Sequence, residues 1–370
     1  MSARTGLLKT LDAALGPALC AAFSRAQRAP EARTLRDFPG GRVLVERPGG
    51  IGDAVLLLPT LRALREAAPG SSVDVLCESR NAPVFELSGL ADRVLRADAA
   101  PFATLRALRR GRYAAVLDTE QFHHFSAVLA ARTRAPLRVG FNVAPARLGL
   151  YTHTVPYDLQ GPEDAQFGRI LAAALGVPSV SLPPRAGSIP AERLPPPPEG
   201  LPERFVALHP GGSVPCKRWG EDRYAALAAA LRDRAGLSCV LVGAKEDCAV
   251  AASVARASGA LDLCGRLDLA STAAVLARAG LLVGPDSGIA HLAVAVGARA
   301  VVLFGPSDPL KWGPPPDRGL ALREPLPCSP CSMFGYTRPC RANACMAALS
   351  VERVLAALAQ SGGGMVKSAP

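Results

Sequence analysis

Three glycine-containing loops carry acidic, basic and hydroxyl side chains at close spacing, a combination suited to binding phosphate groups. Glycine lets the backbone approach a ligand closely, and the N–H groups at the start of a helix attract anions. The loops read Arg47-Pro-Gly-Gly-Ile-Gly-Asp53, His209-Pro-Gly-Gly-Ser-Val-Pro-Cys-Lys-Arg218 and Gly284-Pro-Asp-Ser-Gly-Ile-Ala-His291. Each follows an apolar run typical of a buried strand, so the sequence predicts anion sites at strand ends.

In the first loop, Gly50 and Gly52 are candidate donor-binding residues and Asp53 allows two interpretations. The third glycine of the dinucleotide-binding fingerprint is replaced by Val55, and no Gly-Lys-Ser/Thr follows as it would in a P-loop. Asp53 stands at the start of a predicted helix, where an aspartate is either the N-cap or a carboxylate available as a general base. The residues alone leave both interpretations open.

The second loop is a candidate diphosphate cradle. Gly211, Gly212 and Ser213 offer backbone and hydroxyl donors, and Lys217 and Arg218 add positive charge a few residues later. Successive N–H groups with a nearby cation bind phosphate oxygens well. A solvent-exposed turn that binds nothing is the other interpretation.

The third loop predicts a second anion site in the same half of the chain. Ser287 and Gly288 would place their N–H groups at the N-terminus of a helix, where the helix dipole favours negative charge. Asp286 is equally well explained as a helix cap. His291, one turn into the helix, is equally well explained as a buried structural histidine.

Four of the ten cysteines form a cluster near the end of the chain, Cys328-x2-Cys331-x8-Cys340-x4-Cys345, with prolines between them. This spacing favours a structural zinc or iron site, although it departs from the double Cys-x2-Cys pattern. Reduced thiols and disulfide bonds are the other interpretations.

Two series of alternating strand-like and helix-like segments position these loops. The alternation predicts parallel sheets built from βαβ units. Eight prolines between residues 182 and 202 predict a linker between two α/β domains, which we expect to face each other across a cleft because parallel sheets bind ligands at their strand ends. The expected boundaries are a helical extension at 1–41, an N-terminal domain at 42–185, the linker at 186–202, a C-terminal domain at 203–350 and a helix with a flexible tail at 351–370.

Composition and charge exclude several classes of protein. Hydrophobic residues make up 49% of the chain and charged residues 20%, which excludes disorder for most of it, and the formal charge of +11 favours anionic partners. No uncharged run reaches the ~18 residues of a membrane-spanning helix, and no secretory leader is evident, so we expect a cytoplasmic protein. The helically spaced apolar residues between Leu7 and Phe23 are expected to cover the first domain or to contact a membrane surface.

Together with Phe304-Gly-Pro-Ser-Asp-Pro309, the three loops resemble the motifs of glycosyltransferase family 9, the ADP-heptose:lipopolysaccharide heptosyltransferases and their relatives. Four motifs in order at strand ends are highly specific, and the resemblance extends from about residue 42 to about residue 357. It implies a GT-B fold, in which two Rossmann-like domains bind the acceptor in the N-terminal half and the nucleotide of the donor in the C-terminal half.

The resemblance also implies roles for individual residues. Asp53 matches the general base, and Lys217 matches the lysine near the donor diphosphate. Glu246 would bind the ribose hydroxyls, and the backbone at Leu267 would meet the nucleotide base. The segment that would hold the phosphates and the sugar contains Asp286, Ser287, Gly288 and His291.

The implied activity is inverting transfer of a heptose or similar sugar from an ADP-sugar to an acidic glycan, with the lipopolysaccharide inner core as the leading acceptor. The chain has no Asp-x-Asp motif, and Lys217 with a helix N-terminus would stabilise the departing ADP, so we expect catalysis to need no cofactor. Arg80, Arg134 and Arg138, expected in loops, would bind the acidic or lipid-linked acceptor, and solvated surface arginines that bind nothing are the other interpretation.

Two other functions stay open on the sequence. A Rossmann-like pattern is also typical of NAD-dependent oxidoreductases, and a basic chain with clustered cysteines is typical of some nucleic-acid-binding proteins. Five lysines and scattered arginines argue against nucleic acid as a partner. We expect a monomer with, at most, a peripheral contact to the cytoplasmic face of the inner membrane.

Overall fold

The structure, a computed structural model, describes residues 3–24, 33–212, 214–333, 336–337, 340 and 342–361. The chain divides into two compact units, Met1–Pro184 and Arg185–Pro370. Each unit contains one six-stranded parallel sheet flanked by helices, which confirms the predicted α/β class. Ser213 of the predicted diphosphate cradle lies outside the described residues.

The sheet of the N-terminal unit has the strand order β3-β2-β1-β4-β5-β6. Its strands are β1 (Arg42–Arg47), β2 (Ser72–Cys77), β3 (Arg93–Arg96), β4 (Ala115–Asp118), β5 (Leu137–Phe141) and β6 (His153–Val155). The helices are α1 (Ala3–Ser24), α2 (Ile51–Ala67), α3 (Ala82–Ser88), α4 (Pro101–Arg110), α5 (His124–Thr133) and α6 (Glu163–Leu175). Helix α2 packs with α3 and α6, whereas α5 packs with α1 and α4 on the opposite face of the sheet.

The sheet of the C-terminal unit has the strand order β12-β11-β10-β7-β8-β9. Its strands are β7 (Phe205–Leu208), β8 (Ser238–Leu241), β9 (Leu261–Asp262), β10 (Leu281–Pro285), β11 (Arg299–Phe304) and β12 (Gly319–Arg323), with a separate hairpin of β13 (Ser332–Met333) and β14 (Tyr336–Thr337). The helices are α7 (Glu221–Ala235), α8 (Cys248–Ser258), α9 (Leu269–Ala279), α10 (Gly288–Ala295), α11 (Pro309–Trp312), α12 (Ala344–Ala347) and α13 (Val351–Ser361).

Both sheets have the order 3-2-1-4-5-6 of the Rossmann fold when the strands of each unit are counted along the chain. In such a sheet the first and fourth strands are neighbours, and the helices that follow them pack on opposite faces. A crevice opens between the two strand ends, and ligands of this fold bind there. The two positions are the ends of β1 and β4 in the first unit and of β7 and β10 in the second.

Continuous apolar runs made the central strands predictable. Val43, Leu44 and Val45 of β1 are at most 1% exposed, and Leu281 and Leu282 of β10 are fully buried. A parallel sheet covered by helices on both faces needs such runs, and burying each of these side chains contributes about 1.5–3 kcal/mol.

Strands with polar or charged residues differ from the predictions. The apolar and polar run at residues 261–264 predicts a four-residue strand, but β9 ends at Asp262, whose carboxylate accepts a hydrogen bond from the N–H of Cys264 (3.0 Å) and turns the chain. The prediction that Arg138 lies in a loop is wrong, because it is the second residue of β5. Its side chain interrupts the apolar run by which that strand could have been recognised.

The proline-rich stretch belongs to the second unit from Arg185 onward, and its first residues there are packed against that unit. The N–H of Ile189 donates to the carbonyl oxygen of Ala295 (3.1 Å), and Arg185 Nη1 donates to the carbonyl oxygen of Gly313 (3.3 Å). Ser188 and Ile189 are both 1% exposed. The start of the predicted linker, residues 185–189, is therefore packed as part of this unit.

Helix α1 is attached to α5 through the carboxylate of Asp12. This carboxylate accepts hydrogen bonds from the N–H groups of His124 (3.0 Å) and Phe125 (2.7 Å) at the start of α5. Burial raises the pKa of Asp12, but these bonds and the His123 and His124 side chains lower it more, to about 2. None of the helices in the described ranges is long and apolar enough to cross a membrane.

Candidate functional site

A chain of three polar side chains joins the loops after β7, β8 and β10 in the C-terminal unit. His209 follows β7, and its Nδ1 lies 3.2 Å from Ser287 Oγ. Its Nε2 lies 3.4 Å from Asp247 Oδ2, in the loop after β8. Ser287 Oγ also accepts from the N–H of Ala290 and so caps α10. His209 therefore fixes the N-terminus of α10 relative to the neighbouring loops.

The loop at Gly211 and Gly212 is packed directly against Asp247. Asp247 Oδ1 accepts from the N–H of Gly212 (3.3 Å), and a Cβ added to Gly211 would lie 2.0 Å from the Asp247 carboxyl. Burial raises the pKa of Asp247, but hydrogen bonds from His209 and from the N–H groups of Ala244 and Gly212 outweigh burial and lower the pKa. Gly211 is a glycine because no larger residue fits beside this carboxylate.

Lys217 and Asp286 form the shortest ion pair at this strand end. Lys217 Nζ lies 2.6 Å from Asp286 Oδ2, and the two side chains are 15% and 8% exposed. His291 Nε2 lies 3.9 Å from the other carboxylate oxygen. Burial raises the pKa of Asp286, but the charges of Lys217 and His291 outweigh it and lower the pKa. Asp286 therefore holds the Lys217 ammonium group and the His291 imidazole beside the N-terminus of α10.

The loop that carries Lys217 and Arg218 is anchored by Trp219. The Trp219 indole N–H donates to the carbonyl oxygen of Leu349 (2.9 Å), and its ring packs edge-on against Tyr224 with centroids 5.0 Å apart. The side-chain amide of Asn343 donates to the Arg218 carbonyl oxygen (3.0 Å). A buried aromatic anchor thus fixes the position of the Lys217 side chain.

The remaining predicted donor residues lie at strand ends of the same sheet. Glu246 is exposed in the 3-10 turn Lys245–Asp247 after β8, and Leu267 is half-buried after β9. Gly288 is the first residue of α10 and is half-buried. Because β10, β7, β8 and β9 are neighbours in this order, the loops that follow them lie side by side along one edge of the sheet.

In the N-terminal unit, Asp53 lies at the strand end of β1 beside Arg47. The N-cap of α2 is Gly50, so the N-cap interpretation of Asp53 is wrong; its carboxylate, three residues later, accepts from the Gly50 N–H (3.2 Å). Arg47 Nη2 lies 3.4 Å from the same oxygen, and Asp53 is 33% exposed. Gly49 has a φ of 127°, which requires glycine. Gly52 is in the first turn of α2.

Two buried arginines fix the loop after β4 next to this site. Arg47 Nη1 donates to the Thr119 carbonyl oxygen (2.6 Å), and Arg147 Nη2 donates to Asp118 Oδ2 and to the Glu120 carbonyl oxygen, both at 2.8 Å. The loop after β4 is therefore held from both sides, and Arg47 connects it to Asp53.

Three residues of this geometry were missed in the sequence. His209 begins the second motif, but a histidine directly after a strand is common and does not by itself indicate a functional role. Asp247 is adjacent to Glu246, and its role depends on its distance from Gly211 in space. Arg47 precedes the glycines of the first loop, and nothing in the sequence separates it from the other arginines.

The three predicted acceptor arginines are in different situations. Arg80 is exposed after β2 and pairs with Glu78 (2.7 Å), and Arg134 is exposed at the C-terminus of α5 with a φ of 59°. Arg138 is 7% exposed, and its guanidinium donates to the Leu150 carbonyl oxygen (2.8 Å) and to that of Ala135. The Arg138 side chain therefore holds neighbouring backbone segments together inside the unit. It is not available for the predicted contact with the acceptor.

The four clustered cysteines differ in exposure. Cys345 is buried, Cys331 is half-buried, and Cys328 and Cys340 are exposed. Burial raises the pKa of Cys345, and the nearby Cys331 and Cys340 thiols raise it as well. Among the described residues, no group of three or more His, Cys, Asp or Glu side chains is placed to hold a metal ion. No disulfide bond joins cysteines of this part of the chain.

Two Rossmann-type units, the second with Lys217 and Asp286 beside a helix N-terminus at a strand end, are the arrangement of GT-B glycosyltransferases. The chain belongs to glycosyltransferase family 9 (heptosyltransferase), whose model matches residues 102–340. It is thus a glycosyltransferase, and the oxidoreductase and nucleic-acid-binding interpretations are not supported. The matched residues begin after the Asp53 loop, so the match does not bear on that residue.

Known proteins agree with this assignment. Lipopolysaccharide heptosyltransferase 3 of Escherichia coli is 25% identical over 289 residues, which cover 71% of this chain and 83% of the relative. A glycosyl transferase family 9 structure from Veillonella parvula has a TM-score of 0.72 at 20% identity and covers 89% of this chain and 98% of its own. An E. coli heptosyltransferase solved with ADP has a TM-score of 0.68 at 21% identity, covering 88% and 99%. The GT-B prediction is confirmed.

Gly211→Ala should destabilise the chain because the new methyl group would displace the Asp247 carboxylate from His209 and Gly212. We expect a loss of about 1–3 kcal/mol in the free energy of unfolding, measured by denaturant titration. Gly212→Ala is the matched control, since a Cβ there would meet its nearest neighbour at 3.6 Å, an ordinary contact. Equal stability of the two variants would contradict the packing described for Asp247.

Proposed function

We propose that this enzyme transfers a heptose from ADP-heptose to an acidic sugar of the lipopolysaccharide core and inverts the configuration at the anomeric carbon. The observation that carries the proposal is the position of Lys217, which Asp286 holds (2.6 Å) beside the N-terminus of α10, where an ammonium group and the helix N–H groups can bind a diphosphate together. The similarity to a lipopolysaccharide heptosyltransferase and to a heptosyltransferase solved with ADP supports the choice of donor and acceptor.

On the donor side, Lys217 and the N–H groups of Ser287 and Gly288 bind the phosphate oxygens in this proposal. Asp286 carries the same charge sign as the diphosphate, so it acts by holding Lys217 and His291 in place. Gly211 and Gly212 let the phosphates approach the loop, and Arg218 adds a second positive charge. The exposed carboxylate of Glu246 accepts from the ribose hydroxyls, and the backbone at Leu267 meets the adenine.

On the acceptor side, Asp53 is the general base. As the acceptor oxygen bonds to the anomeric carbon, the bond from that carbon to the ADP oxygen breaks and the hydroxyl proton moves to the Asp53 carboxylate. Arg47 keeps that carboxylate oriented. Arg80 and Arg134 supply exposed positive charge for an acidic acceptor. Lys217 and the dipole of α10 offset the charge on the departing ADP, so we propose that catalysis needs no cofactor.

The place of action follows from the acceptor in this proposal. The lipopolysaccharide core is assembled on a lipid, so we expect the enzyme to act at the cytoplasmic face of the inner membrane. We also propose that it acts as a monomer. Its nucleotide-sugar donor is soluble, whereas its acceptor is embedded in a bilayer.

The test of the reaction is release of ADP from ADP-heptose in the presence of a heptose-deficient core acceptor. We expect wild-type turnover that requires the acceptor, and we expect Asp53→Asn to lower kcat by about 10²–10⁴-fold with little change in ADP affinity. Asp37→Asn is the matched control, because Asp37 also accepts a backbone N–H three residues before it (2.6 Å, from Thr34) outside the site. Wild-type kcat in Asp53→Asn would remove Asp53 as the base, and no transfer by the wild type would reject the reaction.

We also propose that the four clustered cysteines bind one structural zinc or iron ion. The proposal is supported by the Cys328-x2-Cys331-x8-Cys340-x4-Cys345 spacing and by the nearness of the Cys331 and Cys340 thiols to that of Cys345, whose pKa is raised by burial and by these two thiols. The described side chains are not arranged as metal ligands, so binding would draw the four thiolates together around the ion. We expect about one metal ion per chain by mass spectrometry of protein purified without a metal resin, and loss of it in Cys328→Ser but not in Cys248→Ser. Metal-free wild-type protein would contradict this proposal.

A further inference from the structure

From Leu11 to Ala22, the surface that α1 presents to solvent is apolar. Leu11, Leu15 and Leu19 recur every fourth residue, so they form one stripe along the helix. They are 38%, 52% and 37% exposed. Between Thr10 and Phe23 the sequence has one charged residue, Asp12, and it is buried. The part of α1 that faces solvent over this stretch therefore carries no charge.

Helix α1 is nevertheless firmly packed against the N-terminal unit. Asp12 caps α5, Cys20 is fully buried, and a Cβ on Gly16 would meet the His124 side chain at 2.5 Å. These three residues, four apart, form the stripe that packs on the unit. The leucine stripe lies next to it and is presented to the outside in a fixed orientation.

Helix α4 adds positive charge and an exposed aromatic ring to the same face of the sheet, since α5 packs against both α1 and α4. Phe102, in the first turn of α4, is 86% exposed. Arg106, Arg109 and Arg110 of the same helix are exposed. Leu148, in the 3-10 turn Pro145–Leu150 that contacts α1, is 38% exposed.

The acidic residues of the chain are missing from this face. Helices α1, α4 and α5 and the turn Pro145–Leu150 contain a single carboxylate in their sequences, the buried Asp12. We call these four segments the α1–α4 face. It combines exposed leucine and phenylalanine side chains with arginines and presents no negative charge.

We propose that the α1–α4 face binds the surface of a bilayer that contains anionic lipids. The leucines and Phe102 would enter the boundary between headgroups and acyl chains, and the arginines of α4 would bind lipid phosphates. Pairing of this face with itself in a dimer would bring arginines of like charge together, so a membrane is the better match. The inference deepens the proposed function, because it names the surface that would bring the enzyme to a lipid-linked acceptor.

The test is co-sedimentation of the full chain with lipid vesicles, without donor or acceptor. We expect binding to vesicles that contain phosphatidylglycerol, weak binding to pure phosphatidylcholine, and a decrease with added salt. Leu11→Ser combined with Leu15→Ser and Leu19→Ser should weaken binding at least tenfold. Arg106→Gln combined with Arg109→Gln and Arg110→Gln should weaken it roughly tenfold to hundredfold.

The matched control removes three exposed helical arginines of the C-terminal unit, Arg234→Gln, Arg256→Gln and Arg278→Gln, with the same change in net charge. This variant should bind vesicles as the wild type does. All variants should keep the wild-type circular dichroism spectrum and the wild-type transfer rate on a water-soluble acceptor fragment, which separates membrane binding from catalysis.

Three results would overturn the inference: no vesicle binding by the wild type, equal binding to neutral and anionic vesicles, or equal loss in the control variant. A wild-type dimer that the leucine substitutions convert to a monomer, without vesicle binding, would assign the face to a second copy instead. Vesicle binding without any sugar transfer would reject the proposed function and leave the surface in place.

Discussion

The crevice at the centre of each sheet is the constraint on which the rest of the structure depends. Two neighbouring parallel strands are followed by helices on opposite faces, so their loops separate and leave room for a ligand. In the C-terminal unit this places the loop after β7 beside the N-terminus of α10, and His209 bridges them to Ser287 (3.2 Å). The Lys217–Asp286 ion pair lies at the same end of the sheet, beside the N-terminus of α10. Their positions follow from the strand order.

In both units, buried charged side chains fix the loops at the carboxyl ends of the central strands. Hydrogen bonds from His209, Ala244 and Gly212 lower the pKa of Asp247 against burial, and Lys217 and His291 do the same for Asp286. In the N-terminal unit Arg47 and Arg147 hold the loop after β4. A buried charge without a partner would cost several kcal/mol, so each of these side chains restricts the loops around it to one arrangement. Rigid loops are what a site for a transferred sugar needs.

The sequence predicted the strands and loops whose signals are local. Apolar runs located β1 and β10, and glycine-rich segments located the loops with Asp53, Lys217 and Ser287. It missed Asp247 and Arg47 because their roles depend on partners in other loops, 35 residues and more away along the chain. It placed Arg138 in a loop because a charged residue in a buried strand is exceptional, and its bonds to backbone carbonyl oxygens are visible only in space.

The proposed reaction depends most on Lys217, which Asp286 would hold against the diphosphate of the donor. The most direct measurement is calorimetric titration of ADP and of adenosine into the wild type and Lys217→Met. A charge-assisted bond of about 1.5–3 kcal/mol predicts that Lys217→Met binds ADP roughly tenfold to hundredfold more weakly and binds adenosine as the wild type does. Unchanged affinity for ADP, or equal losses for ADP and adenosine, would contradict the account.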